Sequence, residues 1–131
     1  MLETILSIEI DHIEYPQTQK SIDILADAKS IRVDVYVKGE DQTVYNVEMQ
    51  TTNTGELPRR SRYYQGLIDM DLIEKGEAYS KLNKSYVIFI CTFDPFTHGY
   101  PIYTFTNRCR EDNQVVLEDG TTKVFVNLTG M

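Results

Sequence analysis

The fold is decided by Ile31-Arg32-Val33-Asp34-Val35-Tyr36-Val37, Lys38-Gly39-Glu40-Asp41 and Thr43-Val44-Tyr45-Asn46-Val47-Glu48-Met49-Gln50. The first stretch alternates strictly, with its aliphatic residues on one face, and the last alternates again, so both read as strands. Lys38 to Asp41 supplies the turn between them, which makes the pair a β-hairpin. In such a hairpin the polar residues Arg32, Asp34, Tyr36, Asn46, Glu48 and Gln50 share the other face, and by default that face is solvated.

Outward from the hairpin, Ile10 to Tyr15 reads as a short strand ended by Pro16, preceded by a helical pattern of barely two turns over Leu2 to Glu9. The polar stretch up to Ser30 reads as a connection. Downstream, Pro58 stands near the start of a helix that continues to about Lys75, with Gly76 as its stop. Tyr64, Leu67, Ile68 and Leu72 share the core-facing arc of this helix, and Arg59, Arg62, Tyr63 and Gly66 fall on the opposite one. Tyr86 to Phe93 is a continuous apolar run of strand length, the pattern of a central strand buried on both faces, and Asp94-Pro95 ends it. Tyr103–Asn107, Val115–Leu117 and Lys123–Val126 are three further short strands. Strand, hairpin, helix and buried strand in this order predict a mixed α/β or α+β fold.

The chain of 131 residues carries 41% hydrophobic and 25% charged residues, the profile of one globular domain spanning residues 1–131. Thirteen basic against 20 acidic residues leave a net charge of −7, which excludes a broad electrostatic footprint for nucleic acid or an anionic membrane. The basic character is local: residues 1–50 hold ten acids and four bases, whereas Leu57–Tyr64 holds three arginines and no acid. Arg59 and Arg62, beside Tyr63 on the outward arc, are therefore the candidates for contacts to DNA phosphates, from a helix N-terminal region whose amides also favour anions. Weak, local DNA binding through the Arg59–Arg62 patch is the expectation, and a solvated face paired with nearby carboxylates is its alternative. The two cysteines, Cys91 and Cys109, have neither a CxxC spacing nor a Cys/His cluster for zinc. With no signal-like N-terminus and no apolar run long enough for a bilayer, a cytoplasmic protein without membrane contact is expected. His12 and His98 stand alone, and the lack of a Gly-rich phosphate loop argues against nucleotide hydrolysis.

Thirteen residues separate Asp34 from Glu48, so a bent pair of strands lets the two carboxylates approach one another. Gln50 projects to the same face as Glu48 and would stand beside any cation held there. This oxygen environment suits Mg²⁺, which is usually bound by one or two carboxylates with water and substrate phosphate.

The blocks Ser30–Val37, Tyr45–Thr52, Leu57–Gln65 and Ser85–Phe96 stand in one order along the chain. Together they resemble the PD-(D/E)XK nuclease family transposases of bacteria, also called the recombination-promoting nuclease or putative transposase family, from about Ser30 to Gly130. The resemblance implies a restriction-endonuclease-like core of order αβββαβ, with a central mixed sheet flanked by helices and extra C-terminal strands. It implies a catalytic set of Asp34, Glu48 and Gln50, in which Asp34 and Glu48 hold Mg²⁺ or Mn²⁺ for in-line hydrolysis of a phosphodiester. Gln50 takes the position that is most often lysine in the wider superfamily; it orients water but brings no charge. Relatives usually have a longer N-terminal helical region and a helical C-terminal one, so a chain shortened at both ends is expected. The implied function is a Mg²⁺-dependent DNA endonuclease associated with recombination or mobile-element DNA. The alternative is a catalytically silent interaction module that pairs with and regulates a longer nuclease of the same family; the protein partner expected is a second copy of the chain or a longer family member.

Overall fold

A computed structural model describes residues 10–14, 35–39, 43–72 and 76–130. Asp34 and the helical pattern before Ile10 lie outside them. Eight strands are described: β1 (Ile10–Glu14), β2 (Val35–Gly39), β3 (Val44–Gln50), β4 (Ser85–Cys91), β5 (Ile102–Phe105), β6 (Arg108–Cys109), β7 (Asp112–Val116) and β8 (Thr121–Asn127). Helix α1 (Leu57–Leu72) lies between β3 and β4, and 3-10 turns occupy Tyr79–Lys81 and Leu128–Gly130. Six strands form one mixed sheet in the order β1-β2-β3-β4-β8-β5, and β6 pairs with β7 in a separate two-stranded sheet.

The expected hairpin is present, with β2 antiparallel to β3 and Val35 opposite Val47. Its turn is displaced from the predicted one, because Lys38 still pairs with Val44 and Gly39 is a strand residue. The reason lies on the other side of β2: Ile10 pairs with Gly39 and His12 with Lys38, so β1 holds these two residues in the sheet against their local turn preference. β3, β4 and β8 then run parallel to one another, with Glu48 opposite Phe89 and Phe89 opposite Phe125.

β4 is buried on both faces, as its unbroken apolar run predicts. On one face Val44, Val87, Phe89, Cys91 and Phe125 pack with Leu57, Tyr64 and Ile68 of α1. On the other, Tyr45, Val47, Ile88, Ile90, Val124 and Val126 form a second cluster. Helix α1 is anchored by its inward arc; its described residues end at Leu72, and Gly76, the stop expected from the sequence, has a φ of +91° in the left-handed region that glycine adopts at no steric cost.

After β4 the chain closes the end of the core. Asp94 accepts hydrogen bonds from the backbone N–H groups of Phe96, Thr97 and Gly99 and from the hydroxyl of Tyr103. Desolvation draws the Asp94 carboxyl upward, but these donors more than reverse it and hold its pKa below the ordinary range. The loop so fixed sets Phe96 edge-on against Phe125, Tyr103 and Phe105.

Candidate functional site

Helix α1 covers the face of β3 that carries Asn46, Glu48 and Gln50. The sequence reading places these residues on a solvated face; the structure buries all three, with Glu48 only 4% exposed. Periodicity determines which residues share a face, whereas the helix packed on the same sheet face determines whether that face meets water. Removing a carboxylate from water costs several kcal/mol unless a charge and hydrogen bonds compensate it. Here Arg60, from the second turn of α1, brings Nη2 to 3.1 Å from Glu48 Oε1 and Nη1 to 3.3 Å from Gln50 Oε1. The same Nη2 donates to the Tyr64 hydroxyl oxygen at 2.7 Å, and the guanidinium carbon lies 5.5 Å from the Tyr64 ring centroid. One guanidinium therefore bridges three side chains.

The electrostatics follow from this arrangement. Burial works against the Arg60 charge, and the hydrogen bond to Tyr64 with the neighbouring Glu48 carboxylate outweighs it, so its pKa stands above the ordinary arginine value. Burial also pushes the Tyr64 phenol far upward, and its hydrogen bond with Glu48 and that residue's negative charge add to the effect. Tyr64 is thus a neutral hydroxyl at any working pH. It rests on the core through Phe89, at a ring-centroid distance of 5.7 Å. The end of β3 is held as well, since the backbone N–H of Thr92 donates to the Gln50 carbonyl at 3.0 Å.

The donor set suits a hard cation. Glu48 supplies a carboxylate, Gln50 an amide oxygen, and Asn46 a third oxygen, Oδ1, which is buried and has no hydrogen-bond partner among the described residues. Among the described residues no group of three or more His, Cys, Asp or Glu side chains converges. Cys91 is no candidate nucleophile, because burial pushes its thiol up to about 11.

Of the residues singled out in the sequence, Glu48 and Gln50 come together, while Asp34 lies outside the described residues. Arg59, Arg62 and Tyr63 are exposed on the outward arc of α1, as expected. Neither arginine forms an ion pair among the described residues. The sequence reading counts Arg60 only with the arginine patch of the helix and Tyr64 only on its core-facing arc, and it does not single out Asn46 as a site residue. The signal for Arg60 is its helical position: it shares the inward arc of Leu57, Tyr64 and Ile68, and an arginine on a core-facing arc requires an acid to meet it.

A family model described as PD-(D/E)XK nuclease family transposase matches residues 1–131. The match thus takes in the first 29 residues, which the resemblance noted above did not reach. No curated protein and no solved structure matches the chain.

Proposed function

The chain belongs to the PD-(D/E)XK nuclease family transposases, and from that membership we propose that it is a divalent-metal-dependent DNA endonuclease acting on recombination or mobile-element DNA in the bacterial cytoplasm. The mixed sheet, with β2 and β3 antiparallel and α1 laid on β3, is compatible with the restriction-endonuclease-like fold of such enzymes. Among the described residues no helix is long and apolar enough to cross a membrane.

The observation that carries this reading is the buried Glu48 beside Gln50. A strand that only had to pack under a helix is served better by apolar residues, so a carboxylate retained there at a desolvation cost marks a site. Asp34 is proposed as the second acid. It precedes Val35, and Val35 lies opposite Val47, the neighbour of Glu48. Asp34 and Glu48 would hold Mg²⁺ or Mn²⁺, with the Asn46 and Gln50 amide oxygens at hand for its water shell. When bound, a divalent cation supplies an attacking water at neutral pH and neutralises charge on the phosphate. Gln50 orients that water by hydrogen bonding, and the covering helix excludes bulk solvent from the carboxylate.

Calorimetric titration tests the metal site. Mn²⁺ should bind the parent, and Asp34→Ala should abolish binding while leaving the fold intact, since it removes one of two like charges. Unchanged binding in Asp34→Ala contradicts the assignment.

The DNA contact is proposed for Arg59 and Arg62, with Tyr63 beside them. These exposed residues lie on the face of α1 turned away from Glu48, so they would anchor a phosphate backbone on the outside of the helix. Against a net charge of −7 the contact should be weak and salt-dependent. Each neutralised phosphate contributes a slope near −0.9 in log K against log salt on duplex DNA, so Arg59→Ala/Arg62→Ala should flatten the dependence by up to about two units. A double variant that keeps the parent's slope would leave these arginines as a solvated helix face.

A further inference from the structure

We propose that Arg60 is a built-in place-holder for the metal: its guanidinium holds Glu48 and Gln50 in position while the site is empty, and a divalent cation takes over Glu48 Oε1 from it. The inference rests on the reading of Glu48 as a metal ligand and adds to it how the site is kept before loading.

Three observations carry it. First, Arg60 does not make a single surface ion pair; it spans Glu48 Oε1 and Gln50 Oε1, the two groups expected around the cation, with one planar fork. Second, the Glu48 side chain is 5% exposed whereas that of Arg60 is 31% exposed, so the acid is fixed and the arginine has a path to water. Third, Tyr64 gives the guanidinium a second seat, through a 2.7 Å hydrogen bond to its hydroxyl oxygen and a 5.5 Å approach to its ring. Released from Glu48, Arg60 therefore remains at the edge of the site, where its free N–H groups can meet a phosphate oxygen.

Charge and distance favour the exchange, against the cost of partly dehydrating the cation. The guanidinium carries one charge at 3.1 Å from the oxygen. Mg²⁺ carries two and binds carboxylate oxygens at about 2.1 Å, so at equal dielectric its attraction for Glu48 is roughly three times larger. A device of this kind avoids a bare buried carboxylate in the metal-free protein and keeps Glu48 and the neighbouring Gln50 in usable rotamers. Its cost is affinity, because the cation must first displace the arginine.

The test uses the full chain with the metal ion alone as probe, Mn²⁺ for calorimetry and melting and Mg²⁺ for the resonances. Arg60→Gln, which keeps an amide donor but no charge, should bind Mn²⁺ about tenfold tighter than the parent by calorimetry. Its melting temperature should be lower than the parent's in chelator and should rise more on addition of Mn²⁺. Arg60→Lys, which keeps the charge, should bind Mn²⁺ close to the parent. In the parent itself, the Arg60 guanidinium resonances should shift in step with saturation by Mg²⁺, a measurement that does not depend on the variants folding. Equal or weaker Mn²⁺ binding in a folded Arg60→Gln, or Arg60 resonances that stay fixed while Mg²⁺ saturates the protein, overturns the place-holder and leaves the metal site standing. Absence of Mn²⁺ binding in parent and both variants overturns the metal reading and the place-holder with it.

Discussion

Phe89→Ala should destabilise the protein by about 3–5 kcal/mol, the range for removing a fully buried aromatic ring. Phe89 is completely buried, stacks on Phe125 at 5.4 Å and supports Tyr64 at 5.7 Å. It also lies opposite Glu48 in the parallel register of β3 and β4. The ring is thus the floor on which Tyr64 stands, and Tyr64 in turn seats Arg60. Its loss should lower the denaturation midpoint and also weaken metal binding in whatever fraction remains folded. Phe89→Leu refills most of the space and should cost less than about 1.5 kcal/mol. A denaturant titration showing less than about 1 kcal/mol for Phe89→Ala would mean that this core does not carry the site.

Much of this arrangement is legible in the sequence, and the gaps have physical causes. The strict alternation of Thr43–Gln50 and the unbroken apolar run of Tyr86–Phe93 identify β3 and β4, because sheet periodicity and double-sided burial leave direct marks on residue choice. The hairpin turn is misplaced because Lys38-Gly39 looks like a turn locally, whereas pairing with β1 is a long-range contact that no short window contains. Of the small sheet, β7 is anticipated only at its end, as Val115–Leu117, because Asp112-Asn113 has the composition of a loop, and β6 escapes notice because Arg108–Cys109 is two residues long. The burial of Asn46, Glu48 and Gln50 cannot be read from β3 alone, since it depends on where α1 lies. Arg60 was within reach: its place on the inward arc, one turn before Tyr64, is a statement about the helix and not about the sheet.

Glu48→Ala carries the largest functional effect. The substitution removes the buried carboxylate and its desolvation cost together, and the partly exposed Arg60 can turn to water, so the fold should survive. On the proposed reading, what disappears is a metal ligand, and with it the attacking water and the charge neutralisation that phosphodiester hydrolysis needs. The expected loss is on the order of a thousandfold or more, to the background of the assay. Gln50→Ala should be graded instead, at about 10- to 1000-fold, since a neutral amide orients a water without carrying charge. The direct measurement is nicking of supercoiled plasmid by parent, Glu48→Ala and Gln50→Ala, purified identically and assayed with Mn²⁺, Mg²⁺ and chelator. Metal-dependent nicking by the parent, faster with Mn²⁺, intermediate in Gln50→Ala and absent in Glu48→Ala, is the predicted result; equal rates in parent and Glu48→Ala, or no cleavage by the parent with any metal, would contradict it.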